Sequence, residues 1–264
     1  MVLSRRKFFN KSLLGAGGFI VSDISIGKNI YKKMNTDQEI RPKVIFFDVN
    51  ETLLDLAPLK EQLTGILNGQ KELVALWFTT MLQYSLVGTV SDQYKDFGEI
   101  GVATLLMVAR NYDISISEAK AKEILKGIRS LPAHSEVPEA LKKLKNEGYT
   151  LATLTNSSNA AVEEQMVNSG LKQYFSKLLS IEDIGMYKPH KNTYQWAARK
   201  MGINPEESLL VAAHGWDVAG AKWAGMKTAF ISRPGQQLYP HAKKPDLIAP
   251  TLTEIADALV SIRK

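Results

Sequence analysis

The sequence of 264 residues contains no cysteine. This single absence excludes disulfides, cysteine-ligated zinc, a thiol nucleophile and lipoprotein acylation. No uninterrupted apolar run approaches the ~18 residues that span a bilayer, so a polytopic membrane protein is not expected. Internal repeats and low-complexity tracts are also missing, and with 45% apolar residues the chain has ample material for a buried core. An excess of one charge is absent from most of the chain as well. The formal balance is +6, from 33 Lys and Arg against 27 Asp and Glu. Residues 1–33 carry Arg5, Arg6, Lys7, Lys11, Lys28, Lys32 and Lys33 against Asp23 alone, which leaves 26 basic and 26 acidic groups for the remaining 231 residues. A neutral body of this kind offers no polyanion-binding face, and no nucleic-acid partner is expected.

The basic excess has its own pattern. Ser4-Arg5-Arg6-Lys7-Phe8-Phe9, followed by a small and apolar stretch at 12–21, resembles a twin-arginine export signal. The resemblance implies that residues 1–33 form the signal, that the destination is periplasmic or exported, and that membrane contact is limited to this segment. An amphipathic N-terminal helix or a basic tail is the alternative reading. No clean cleavage motif marks the mature start.

From residue 41 the pattern alternates between short apolar strands and helices. Strands are expected at 43–47, 149–154, 177–180, 208–212, 227–231 and 246–248, the first of them wholly apolar, as a strand buried on both faces of a parallel sheet should be. Helices are expected at 138–146, 160–169 and 192–201, with Gly or Pro punctuation. This is the pattern of an α/β fold, a Rossmann-like doubly wound parallel sheet. Residues 56–131 break it, with helical periodicity and no strand. The chain therefore divides into a core domain at 41–55 and 132–264 and an all-helical cap domain at 56–131.

Open parallel sheets bind ligands outside the carboxyl ends of their strands. The groups expected there are Asp48 in Asp48-Val49-Asn50-Glu51-Thr52-Leu53, Thr155-Asn156-Ser157 after the second strand, Lys188-Pro189 before a helix, and His214-Gly215-Trp216-Asp217 after the fourth strand. In order and spacing these motifs resemble the haloacid dehalogenase superfamily of hydrolases, over about 42–264 and including the helical insertion. Within it the chain is most similar to the type II L-2-haloacid dehalogenases, through Phe47 to Leu53, Ala133 to Pro138, Leu154 to Ser158, Met186 to Pro189 and Trp216-Asp217.

The resemblance implies a role for each residue. Asp48 is the nucleophile that forms a covalent ester, which water then hydrolyses. Lys188 keeps that carboxylate charged, and Thr52 and Thr155 supply hydroxyls to it and to the substrate's acid group. Asn156 offers an amide hydrogen to halide or carboxylate. Asp217 holds Lys188 and positions or activates the ester-cleaving water, Trp216 walls the pocket, and Tyr194 also reaches the site. Plainer roles exist beside these. Thr155 and Asn156 are suited to capping the helix that follows, Asp217 to opening a helix, and Trp216 and Tyr194 to packing in a core.

Two positions separate carbon chemistry from phosphoryl chemistry. Superfamily phosphatases carry a second Asp two residues after the nucleophile, where this chain has Asn50. They also pair two acids four residues apart to bind Mg²⁺, and the residue four before Asp217 is Ala213. Neither a metal nor another cofactor is therefore expected. The chain also departs from the dehalogenase pattern. Phe78 stands at the cap arginine, Asn50 at a tyrosine, Ala212 at a serine and His214 at an asparagine, and His214 offers a titrating donor near neutral pH. The expected function is hydrolytic dehalogenation of a short 2-haloacid to a 2-hydroxy acid, with inversion; a homodimer is compatible with the family resemblance, though no interface is marked in the sequence. A phosphatase acting on a small phosphate ester and an exported, non-catalytic binding protein are the alternatives.

Overall fold

The computed structural model describes residues 41–262; the export signal expected at 1–33 lies outside the described residues. Six strands form one parallel sheet: β1 (Val44–Phe47), β2 (Thr150–Thr155), β3 (Lys177–Ser180), β4 (Ser208–Ala212), β5 (Lys227–Ile231) and β6 (Leu247–Ala249). Their order is β3-β2-β1-β4-β5-β6. The chain thus winds outward from β1 to β3, returns to the centre, and winds outward again from β4. The reversal falls between β1 and β4, which run in register with Phe47 opposite Val211. A crevice opens at such a switch point, outside the carboxyl ends of the two strands. All four side chains of β1 are buried, as its unbroken apolar sequence requires of a central strand.

Helices flank the sheet: α5 (Val137–Asn146), α6 (Asn159–Asn168), α7 (Lys191–Lys200), α8 (Gly215–Trp223) and α9 (Leu252–Val260). The α/β expectation is borne out, and the strand and helix limits read from the sequence fall within a residue or two of those observed. Helix α8 lies very close to the loop before α7. A Cβ at Gly220 would stand 2.4 Å from Pro189 Cβ and 2.7 Å from the Tyr194 hydroxyl, so only glycine permits this approach.

Between β1 and α5 lie four α-helices, a short 3-10 helix (Gly127–Ser130) and no strand: the α-helices are α1 (Ala57–Ile66), α2 (Lys71–Val90), α3 (Phe97–Asn111) and α4 (Glu118–Lys126). Their starts follow local chemistry. Pro58 opens α1, the Asp96 carboxylate accepts the Gly98 and Glu99 amides at the start of α3, and Ser117 accepts the Lys120 amide at the start of α4. One helix of this group is apolar over most of its length without forming an unbroken apolar run. Helix α2 has 20 residues and a mean hydropathy of 1.4 over its best window, so by length and composition it is apolar enough to cross a membrane. Thr, Gln and Tyr interrupt its apolar runs, which hid this in the sequence. Here α2 packs on α3 through Trp77 and Met81, and Trp77 Nε1 donates to the Gly101 carbonyl at 2.9 Å.

Candidate active site

Asp48 follows β1 directly and is 5% exposed. Its amide donates to the Val211 carbonyl of β4, so the carboxylate stands at the switch point. One helical turn on, the Thr52 hydroxyl donates to Asp48 Oδ2 at 2.7 Å and accepts the Ala213 amide at 2.9 Å. A single hydroxyl thereby ties the loop after β1 to the loop after β4. Lys188, in the turn before α7, is 1% exposed. Its ammonium donates to Asp48 Oδ1 at 2.9 Å, to Asp217 Oδ2 at 2.6 Å and to the Leu154 carbonyl of β2 at 2.8 Å. All three of its protons are used, which is what a buried ammonium requires. Asp217, in the first turn of α8, is wholly buried, and its other oxygen accepts the Tyr194 hydroxyl at 2.7 Å. Tyr194 therefore connects to Asp48 through Asp217 and Lys188.

The electrostatics follow from this packing. Burial raises the Asp48 carboxyl pKa, but the Lys188 charge and the His214 and Thr52 hydrogen bonds outweigh it and hold the group well below the usual carboxylate range. Burial lowers the Lys188 pKa, yet Asp217 and Asp48 overcome it, so the net shift is upward and the lysine stays charged. A nucleophilic carboxylate needs this state: ionised, desolvated and oriented.

A second chain of bonds leaves Asp48 on its other side. His214 Nδ1 lies 3.1 Å from Asp48 Oδ2, and His214 Nε2 lies 3.1 Å from Glu51 Oε2. Glu51 also accepts Gln236 Nε2 at 2.8 Å and pairs with Lys60. The imidazole is stacked between Phe78 of α2 (centroids 5.9 Å apart) and Trp216 (5.2 Å), which fix its plane. Burial lowers the His214 pKa, but its hydrogen bonds to Asp48 and Glu51, and their charges, push it up to about 9. Burial raises Glu51, and bonds from His214 and Lys60 bring it down to about 2. The helical insertion thus contributes an aromatic face at Phe78, and His214 of the core supplies a cation beside the nucleophile. Glu51, His214, Phe78 and Trp216 border a cavity of about 920 Å³.

The remaining sequence-derived candidates are distributed as follows. The Thr155 hydroxyl accepts the Ser157 amide at 3.1 Å and so holds the turn after β2; it does not cap α6, whose N-cap is Ser158. Asn156 Oδ1 accepts the Lys188 amide at 3.0 Å, while its buried Nδ2 has no hydrogen-bond partner. An unmade buried bond of this kind costs about 1–3 kcal/mol and marks a donor available to a ligand. Asn50 is locked elsewhere: its Nδ2 donates to Ser157 Oγ at 3.2 Å and its Oδ1 accepts Gln165 Nε2 at 2.8 Å. The donor set does not fit a divalent cation. The oxygens of Asp48 and Asp217 are taken by Lys188, His214, Thr52 and Tyr194, and Ala213 adds no ligand.

Several contributors were not found from sequence. Arg233 donates to the Thr52 carbonyl at 3.0 Å and pairs with Glu136 at 2.7 Å, bracing the nucleophile loop. His134 Nε2 reaches the Glu51 carbonyl at 3.1 Å. Glu51 itself sits inside the first motif at φ 65°, in the left-handed region, a conformation that costs a non-glycine residue about 1–2 kcal/mol. Its place in the motif was visible; its pairing with His214 depends on the juxtaposition of β1 and β4.

A nucleophilic Asp at the switch point, a lysine bridging it to a second Asp, and a helical insertion after the first strand define a hydrolase class. The chain belongs to the haloacid dehalogenase-like hydrolases, whose family model matches residues 45–231. Among its relatives is (S)-2-haloacid dehalogenase 4A of Burkholderia cepacia, 30% identical over 190 residues, or 72% of this chain and 82% of that protein. Another is (S)-2-haloacid dehalogenase of Pseudomonas sp. (strain YL), 27% identical over 216 residues that cover 81% of this chain and 93% of the relative. The fold is similar to that of L-2-haloacid dehalogenase from Xanthobacter autotrophicus with chloropropionic acid covalently bound. The TM-score is 0.78 at 21% identity, covering 84% of this chain and 100% of that one.

The raised His214 pKa makes stability depend on pH. Relative to an ordinary value of 6.5, protonated His214 contributes stability that is fully present below pH 6.5 and lost as pH rises through about 9. The stability advantage of the wild type over His214→Asn, measured by urea unfolding, should shrink across that window by up to about 3 kcal/mol. A difference that stays constant from pH 6 to ~10 would contradict the assignment.

Proposed function

We propose that this protein is a 2-haloacid dehalogenase that works without a metal ion. The observation that carries the reading is the Asp48 carboxylate, buried and held ionised by Lys188 and Thr52, with no proton-transferring side chain at Asn50. One Asp48 oxygen attacks C2 of the acid from the side opposite the halogen. The C–X bond breaks, halide departs with the electron pair, and an aspartyl ester remains. Halide leaves without protonation, so Asn50 is no handicap here, whereas an alkoxide leaving from phosphorus would need an acid. Water then cleaves the ester at the Asp48 carbonyl carbon and releases a 2-hydroxy acid of inverted configuration. The unpartnered Asn156 amide and the Lys188 charge supply local attraction for the substrate's anionic groups in a body that is otherwise neutral.

The expected outcome is chloride release from L-2-chloropropionate that persists in EDTA and falls to background in Asp48→Asn. Release from neither the L nor the D enantiomer contradicts the reading, and EDTA-sensitive hydrolysis of an aryl phosphate would replace it with a phosphatase.

We further propose that the Arg5-Arg6 segment directs export through the twin-arginine route and that the enzyme is a homodimer. The first is supported by the sequence pattern at 4–21, and the second by Leu76, Val87 and Val90, exposed along one face of α2. Arg5→Lys with Arg6→Lys should retain the protein in the cytoplasm, and light scattering should give twice the chain mass. Unchanged localisation or a monomeric mass removes the corresponding proposal.

A further inference from the structure

We infer that the cavity between the helical insertion and α6 is a second binding site, for a carboxylate with an apolar body such as a medium-chain fatty acid. The site is separate from the catalytic cavity and stands independently of the dehalogenase reading. Its volume is about 330 Å³. Trp77 and Met81 of α2, Phe97 of α3 and Leu125 of α4 form the apolar wall, and Ser158 and Ala161 border it from the start of α6. Among the described residues, Trp77 alone borders both this cavity and the cavity of about 920 Å³ beside Asp48. Protein interiors are close-packed, so an apolar space of this size forfeits dispersion contacts on every side unless a molecule fills it. Its size and its place between two domains are those of a small-molecule site.

The polar groups decide the class of ligand. Ser158 is the N-cap of α6, a position where a serine hydroxyl ordinarily accepts an amide of the first turn. Here it makes no such bond, although the residue is only 7% exposed and borders the cavity. A buried hydroxyl left without a partner costs free energy that a ligand oxygen would recover. The start of α6 adds amides that have no acceptor within the helix. Glu182 accepts that of Asn159 at 2.7 Å, and those of Ala160 and Ala161 follow in the same turn. Five charged side chains border the cavity, and most of them are committed elsewhere. Lys122 pairs with Glu118, Arg129 pairs with Glu164, and Asp96 accepts the Gly98 and Glu99 amides of α3. Lys126, at the end of α4, has no ion-pair partner among the described residues, and Glu99 lies across from it on α3. A carboxylate is therefore accommodated at the end where Lys126, Ser158 and the α6 amides gather, with its apolar body along Trp77, Met81 and Phe97.

A ligand seated here touches the insertion through α2, α3 and α4 and the core through α6, so it joins the two domains and stabilises the folded chain. Octanoate is the probe. Calorimetric titration of the full chain should show saturable binding at a single site, with a melting temperature that rises with octanoate concentration. Ser158→Ala should weaken binding by about tenfold, the worth of one hydrogen bond to a charged acceptor. Lys126→Glu changes an exposed side chain and leaves the fold intact. It should weaken octanoate several-fold at low salt and leave the neutral analogue octanol unchanged. Ala161→Phe fills the cavity and should abolish binding of both. Thr79→Trp obstructs the catalytic cavity instead, and should leave octanoate binding as it is in the wild type. No saturable binding to the wild type would overturn the inference, as would binding lost in Thr79→Trp but retained in Ala161→Phe. Equal weakening of octanoate and octanol by Lys126→Glu would overturn it too, because the head group would then not be read as an anion. Binding is measured without turnover, so each of these results leaves the dehalogenase reading untouched. Failure of the wild type to release halide would likewise leave this site standing.

Discussion

The Lys188 ammonium is the point on which the architecture of the site depends. It is buried, and its three partners come from three separate parts of the sheet: Asp48 after β1, Leu154 on β2, and Asp217 at the start of α8. Isolated burial of such a charge would cost many kcal/mol, and removing one carboxylate from a buried pair typically costs about 3–5 kcal/mol. The charge is tolerable only because parallel pairing brings the carboxyl ends of β1, β2 and β4 together and because Gly220 lets α8 pack against Pro189 and Tyr194. The same contacts that satisfy the lysine keep Asp48 ionised and Asp217 occupied. Structure and chemistry are therefore set by one group.

Around that centre, the departures from the dehalogenase pattern form a connected set. Phe78 removes a fixed cation from the helical insertion, and its ring stacks on His214, which brings a cation from the core. Glu51 accepts the far nitrogen of that ring, and Gln236 and Lys60 hold Glu51 in turn. Three anions, Asp48, Glu51 and Asp217, face three cations, Lys188, His214 and Lys60, so the resting site is locally neutral. An incoming anion meets no net repulsion.

Much of this was legible in the sequence. Strands buried on both faces read as short apolar runs, and the residues ending them are where a doubly wound sheet places its ligands, so Asp48, Lys188, Asp217 and Thr52 could be singled out. What escaped depends on contacts between segments far apart in the chain. His214 was visible as a substitution, but its bond to Glu51 joins positions 163 residues apart. The same holds for Arg233 bracing Thr52 and for Gln165 locking Asn50, which no periodicity or motif reports. Helix α2 lay beyond a run-length criterion because polar residues are scattered through it, although its mean hydropathy is high.

The central claim is that Asp48, and not water, attacks the substrate carbon. A single turnover in ¹⁸O-water with enzyme in excess tests it directly, followed by mass analysis of the product and of the Asp48 peptide. Ester hydrolysis at the aspartyl carbonyl predicts that the label enters the Asp48 carboxylate and that the first molecule of 2-hydroxy acid is unlabelled. Label in the product, with an unchanged Asp48 peptide, would contradict the account.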